Sequence, residues 1–221
     1  MNSTPEREIV PPSAASWEFA EDHSPLSDAV RKAREEVILS GAAPISQGVA
    51  AALETLAAAV RARHVVEVGT AMGASALSLL AGMLPDGILT SIDAEAENQF
   101  PARGVLAAAG YATSRFRLIA GRPLDVLPKL NLGSYDLVFI NGDKLEYVEY
   151  VAAAERLLRP GGMLIVHDVL WYNTVADPSD ESDETIIIRE ALQAVTDSGA
   201  FRQALLPVGN GLLVAVKTDR T

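Results

Sequence analysis

The chain contains no cysteine. That absence excludes disulfides, thiolate catalysis and cysteine-based metal sites. Aromatic residues make up only 5% of it, so the core has to be built from Ala, Val, Leu and Ile, which a hydrophobic content of 49% supplies. Positive charge is scarce, and the formal net charge is −11. A chain this acidic has no long-range attraction for phosphate backbones or anionic membranes, so nucleic acid is not an expected partner. Apolar runs of the roughly 18 residues needed to span a membrane are also missing. The opening Met-Asn-Ser-Thr-Pro-Glu-Arg-Glu has no basic segment followed by an apolar one, as a signal peptide would. The composition thus leads us to expect a cytoplasmic protein with no membrane partner.

The 221 residues suit one α/β domain. Residues 1–24, rich in Pro, Ser and Glu at their start, read as a flexible arm that Trp17 and Phe19 could pin to the body or to a second subunit. The remainder, 25–221, reads as a single domain, with N-terminal helices over 25–63 and a core over 64–217. Pro25-Leu26-Ser27 opens one helix and Pro44-Ile45-Ser46 another. From His64 onward short β-branched runs alternate with helical stretches. The strands are expected at His64–Val68, Ile88–Ile92, Phe116–Ala120, Leu137–Ile140 and Met163–Val166. The helices are expected at Ala74–Gly82, Glu97–Ala109, Pro123–Leu130 and Tyr147–Leu158. Such alternation produces right-handed crossovers and a sheet covered on both faces. After a tight turn at Arg159–Gly162 and a polar loop at Asn173–Asp183, read as a solvated mobile lid, the pattern changes. A helix at Glu184–Ser198 precedes strands Phe201–Pro207 and Leu212–Lys217, and Asn210-Gly211 signals a tight hairpin between them. The expected fold is α/β, a mostly parallel Rossmann-like sheet closed by a C-terminal antiparallel hairpin.

Chemistry concentrates first in Val65–Ser75, where a buried strand runs into a glycine turn that opens a helix. Gly69 allows a sharp turn and a close ligand approach. Gly73 and Ser75 sit where unpaired helix N–H groups favour a carboxylate or phosphate. The dinucleotide fingerprint Gly-x-Gly-x-x-Gly fails at Ala71, which disfavours a nicotinamide dehydrogenase, as does the terminal hairpin. Glu67 would repel a pyrophosphate but suits a ligand carrying an ammonium or a sulfonium. Asp93, about 20 residues beyond the turn and at the end of a strand, is placed to accept hydrogen bonds from ribose hydroxyls; its structural alternative is a helix cap. Acid, ribose and glycine turn together indicate a nucleoside, and Glu67 tips the choice to S-adenosylmethionine. Asn141, Asp143 and Lys144 end one later strand, and His167 and Asp168 end its neighbour. Both lie at the carboxyl edge, where open α/β sheets bind ligands.

With these blocks in view, the chain resembles the cation-dependent O-methyltransferases of the catechol and caffeoyl-coenzyme A type, methyltransferase family 3, in its bacterial and mycobacterial branch. The resemblance covers roughly Pro44 to Lys217. It is carried by Pro44-Ile45-Ser46, Glu67-Val68-Gly69-Thr70, Ser75-Ala76-Leu77, Ile92-Asp93, Gly121 with Asp125–Pro128, Asp136–Lys144, Leu157–Gly162 and Leu206–Leu213. It implies a seven-stranded methyltransferase sheet with helices on both faces. It further implies that Ile45, Glu67, Gly69, Thr70 and Ser75 hold the methionine end of the cofactor. Asp93, with Ala94 beside it, would take the ribose, Gly121 and Arg122 would flank the adenine, and Asp143 would contact the cofactor. Lys144 matches the lysine that removes the substrate's hydroxyl proton.

The departures fall at one place. The family reads Asp-Ala-Asp-Lys where this chain has Asn141-Gly142-Asp143-Lys144, and Asp-Asn-Val-Leu-Trp where it has His167-Asp168-Val169-Leu170-Trp171. The positions that bind a divalent cation in the family therefore read Asn141, His167 and Asp168. One carboxylate, one amide and one imidazole make a poor magnesium set; they suit a softer ion such as zinc or manganese, or no metal, and the last is the reading adopted. Lys144 or His167 would then act as base, with Asn141 beside them. The expected reaction is methyl transfer from S-adenosylmethionine to a small hydroxyl acceptor, phenolic or catechol-like and walled by Trp171 and Tyr172, in a homodimer. The alternatives are methylation of a modified transfer-RNA base, against which the net charge counts, and S-adenosylmethionine binding without catalysis.

Overall fold

The computed structural model describes residues 10–39, 41 and 43–219. Seven strands form one sheet: β1 (His64–Val68), β2 (Ile88–Asp93), β3 (Phe116–Ala120), β4 (Tyr135–Ile140), β5 (Leu158–His167), β6 (Phe201–Leu206) and β7 (Leu212–Lys217). Their order is β3-β2-β1-β4-β5-β7-β6. The first five pair in parallel, and β7 runs antiparallel to both β5 and β6. The order reverses between β1 and β4, which opens a crevice beyond their carboxyl ends.

Alternation along each strand distributes the core. Val65, Leu89, Leu137, Phe139 and Ile165 pack on one face, under α2 (Asp28–Leu39), α3 (Gln47–Ala59) and α4 (Ala74–Gly82). Val66, Val68, Ile92, Val138, Ile140 and Val166 pack on the other, under α7 (Tyr147–Leu157) and α8 (Asp183–Asp197). The sheet is thus buried on both faces, which is why its central strands are runs of aliphatic residues. Two further helices, α5 (Ala96–Ala108) and the short α6 (Pro123–Val126), complete the crossovers. Among the described residues no helix is long and apolar enough to cross a membrane.

The structure departs from the sequence reading in five places. Part of the expected arm is helical: α1 (Ala14–Asp22) is capped by Ser13, and Trp17 Nε1 donates to the carbonyl of Pro207 at 3.0 Å. Phe19 stays 70% exposed, and residues 1–9 lie outside the described part. The helix expected over Pro123–Leu130 ends at Val126 and continues as a 3-10 turn, Leu127–Lys129, because Pro128 has no N–H for the helical ladder. Arg159–Gly162 is absorbed into β5, with an irregular register opposite Tyr135 and Leu137. Fourth, β6 and β7 pair as far as Leu206 and Leu212, so five residues, 207–211, join them instead of a two-residue turn.

Fifth, the segment read as a mobile lid is strapped down. The Arg189 guanidinium on α8 donates to the carbonyls of Thr174, Val175 and Asp180 at 3.0, 3.1 and 2.8 Å, and also to that of Asp177. Arg189→Ala is expected to cost about 1–3 kcal/mol and to open this stretch to cleavage. Thermal melting and limited proteolysis check both effects; an unchanged melt with an intact loop would contradict them.

Candidate active site

Gly69 follows β1 with φ +94, and a Cβ there would lie 2.3 Å from the Asn141 carbonyl oxygen. Only glycine lets β1 and β4 close this far, and the crevice floor forms where they do. Asn141 N–H donates to the Val68 carbonyl at 2.8 Å, completing the junction.

Beneath the glycine turn lies a fully buried carboxylate. Glu67 accepts from Ser75 Oγ and Ser91 Oγ at 2.5 Å each, and Ser91 Oγ also lies 2.6 Å from Thr70 Oγ1. Burial pushes the Glu67 carboxyl up to about 7; the two serine hydroxyls oppose the shift and Asp93 adds to it. In the unfolded chain the group ionises near 4.5, so between those values folding takes up a proton. The stability this contributes is fully present below pH 4.5 and is lost as pH rises through about 7, a loss of about 3 kcal/mol. Glu67→Gln cannot titrate. In urea melts its stability relative to wild type is expected to rise by about 2.5 kcal/mol from pH 5 to pH 8; a constant difference would contradict the raised value.

Asp93, at the end of β2, is 7% exposed. One oxygen accepts from Ala71 N–H at 2.9 Å; the other accepts from Glu95 N–H at 2.9 Å and from Asn98 Nδ2 at 3.1 Å. It ties the glycine turn to the start of α5, whose cap is Glu95. Around it opens a cavity of about 440 Å³. Of the residues expected to bind a cofactor, Gly69, Asp93, Ala94, Arg122 and Asp143 line it. Gly121 adjoins them, its N–H donating to the Asp93 carbonyl at 2.9 Å. Glu67, Thr70 and Ser75 are only 0%, 0% and 4% exposed and hold the turn from below.

The sequence reading missed Asn98, Glu146 and Tyr150 in the same wall. Tyr150 Oη donates to Glu146, and Arg122 approaches the same carboxylate at 3.4 Å. Burial and that carboxylate raise the Tyr150 phenol. The four-residue spacing of Glu146 and Tyr150 on a helix face is the signal that could have paired them.

A second cavity of about 320 Å³ shares Asn141 with the first and is lined by Ser46, His167, Asp168 and Asn210 among others. Ile45 lies here, not in the first cavity. Asn141 Oδ1 is 2.8 Å from His167 Nδ1. Burial lowers the His167 pKa to about 4; Lys144 adds to the shift and Asp168 opposes it, so the ring is neutral at pH 7. With the amide oxygen as partner, Nδ1 carries the ring proton and Nε2 keeps its lone pair. Lys144 Nζ stands 3.0 Å from Asp168 Oδ2 and 5.0 and 5.4 Å from the ring centroids of Tyr147 and Trp171. The triad of family metal positions is therefore committed internally. Asn141 bonds His167, and the sole carboxylate, Asp168, bonds an ammonium. This donor set does not fit magnesium. Asn210, unforeseen from sequence, holds the far wall: its backbone oxygen accepts from Leu170 N–H at 2.9 Å and its Oδ1 from Tyr172 N–H at 2.8 Å. Gly211, at φ +94, is needed here, since a Cβ would lie 2.6 Å from Leu170 N.

A cleft walled by a glycine turn and a strand-end carboxylate, opening beside a second polar cavity, has the size and placement that suit an enzyme transferring a group from a nucleoside donor. The chain belongs to the O-methyltransferase family, whose pattern matches residues 18–218. The match reaches further toward the N-terminus than Pro44, and it bears out the resemblance read from the Glu67–Thr70 and Asp136–Lys144 blocks. A Mycobacteroides abscessus chain named as an O-methyltransferase is 40% identical over 206 residues, covering 93% of this chain and 96% of that one. A Corynebacterium glutamicum crystal structure superposes with a TM-score of 0.84 at 32% identity, covering 92% of this chain and 95% of that one. The O-methyltransferase TomG of Streptomyces achromogenes, involved in tomaymycin synthesis and solved with S-adenosylmethionine, superposes with a TM-score of 0.82 at 26% identity, covering 91% of this chain and 94% of that one.

Proposed function

We propose that the chain transfers the methyl group of S-adenosylmethionine to the hydroxyl oxygen of a small phenolic or catechol-like acceptor, without a metal ion. The observation that carries this reading is the meeting of two cavities at Asn141, one walled by Gly69 and Asp93 and the other by His167 and Asp168. S-adenosylmethionine supplies, when bound, an electrophilic methyl group on a sulfonium. Asp93 orients the ribose, the Gly69 turn admits the ligand backbone-close, and Asn141 marks the line between donor and acceptor. Rate then comes mainly from holding the acceptor oxygen against the methyl carbon.

The proton acceptor in this proposal is His167. Lys144, the base expected from the family motif, stands against Asp168 and two ring faces. Paired there, it lines neither cavity, which leaves His167 as the basic group in the acceptor wall. A weakly basic imidazole suffices, because the hydroxyl becomes strongly acidic as its oxygen takes on the methyl group. The oxygen–methyl bond forms while the sulfur–methyl bond breaks. The hydroxyl proton passes to Nε2, and the products are the methyl ether and S-adenosylhomocysteine. The test is transfer of labelled methyl from S-adenosylmethionine to catechol in the presence of a metal chelator. Turnover that the chelator leaves intact supports the reading; turnover that requires added magnesium overturns its metal-free part.

A further inference from the structure

Beyond the acceptor cavity lies a larger void of about 650 Å³. The two share Trp17, Tyr172, Gly209 and Asn210. Trp17 and Tyr172 are 42% and 68% exposed, two large aromatic side chains at the mouth of a continuous opening. Neither is there by default. Trp17 is positioned from α1, where its indole N–H is anchored on Pro207 and the Glu21 carboxylate, 8% exposed, caps Gly48 N–H at 3.0 Å and also takes the Gly209 N–H. Tyr172 occupies a left-handed conformation, φ 54 and ψ 32, between Trp171 at φ 39 and Asn173 at φ 71. That conformation is costly for residues bearing a Cβ and persists only where surrounding contacts impose it; here Asn210 Oδ1 holds the Tyr172 N–H. Among the residues lining the two voids there is no lysine or arginine, and Asp168, already paired with Lys144, is the only charged side chain. An anionic tail would find no partner along this path, whereas a flat neutral ring would find two aromatic faces.

Resting on the methyl-acceptor reading above, we propose that the acceptor is an elongated, uncharged aromatic molecule. Its hydroxyl-bearing ring enters the cavity at Asn141, and its second ring lies in the outer void between Trp17 and Tyr172. Those two residues determine acceptor preference, and α1 is part of the acceptor site.

Three catechols test this: catechol itself, which reaches only the inner cavity; catechin, which is neutral and carries a second ring system; and caffeate, which carries a carboxylate. In wild type the KM for catechin is expected to be about tenfold below that for catechol, with caffeate no better than catechol. In Trp17→Ala and in Tyr172→Ala the catechin KM rises about tenfold, so that the catechin-to-catechol ratio moves toward one. A binding measurement needs no turnover. The chain has two tryptophans, so in Trp171→Phe the indole of Trp17 is the remaining reporter, and catechin is expected to quench it saturably in the presence of S-adenosylhomocysteine. Quenching without methylation of any phenol would retain the acceptor site and defeat the methyl-transfer reading. Methylation of catechol with a KM ratio indifferent to Trp17 and Tyr172 would do the reverse. Absence of quenching overturns the proposal whether or not catechol is methylated.

Discussion

His167→Ala is expected to bind S-adenosylhomocysteine as wild type does and to lose about 10²–10⁴-fold in kcat toward a phenolic acceptor, the usual contribution of a positioned general base. The expectation follows from the tautomer. Asn141 Oδ1 takes Nδ1–H at 2.8 Å, so the lone pair sits on Nε2 of a ring in the acceptor wall. The rate profile gives an independent readout. Burial holds the His167 pKa at about 4, below its ordinary 6.5, so the competent neutral ring is present above pH 4 and is lost only as acid takes the pH through that value. Rates from pH 5.5 to 8 should therefore be nearly flat. A rate that climbs steadily into the alkaline range and survives His167→Ala would move the base to Lys144.

The second large effect falls on Asp93. Asp93→Ala is expected to weaken S-adenosylhomocysteine binding by roughly 10²-fold or more, since charge-assisted bonds to ribose hydroxyls are worth about 1.5–3 kcal/mol each. The same carboxylate secures Ala71 N–H and Glu95 N–H, so part of the loss would come through the glycine turn. Asp93→Asn keeps the shape and one acceptor, and should fall between wild type and the alanine variant. Calorimetry on all three, with circular dichroism to confirm folding, checks the order; an alanine variant that binds like wild type would remove Asp93 from the ribose.

The parallel part of the sheet was legible because its signals are local. β1 and β3 fall at His64–Val68 and Phe116–Ala120, where β-branched runs place them, and the glycine turn after β1 is a contiguous motif. Gly69, Asp93 and Asn141 were legible for the same reason, since each ends a recognisable strand. What stayed hidden depends on pairs distant in sequence. Trp17 meets Pro207 across 190 positions and Glu21 meets Gly209 across 188, so nothing near either residue announces that α1 is docked. Asn210-Gly211 reads locally as a tight hairpin. The loop is longer because Asn210 has to reach Leu170 and Tyr172, 38 residues back in the case of Tyr172. The Asn173–Asp183 stretch is polar enough to pass for a free lid, and only the fold reveals that Arg189 gathers its carbonyls. The Pro44-Ile45-Ser46 motif does not announce the wall that Ile45 joins, which is made by the segment leading into α3 and by the β6–β7 connection.

The most direct test of the central claim is calorimetric titration of the protein with S-adenosylhomocysteine, with and without magnesium. Micromolar binding of about one nucleoside per chain that magnesium leaves unchanged is the predicted result. Failure to bind the nucleoside under either condition would contradict the account, because the cleft at Gly69 and Asp93 would then hold no such ligand.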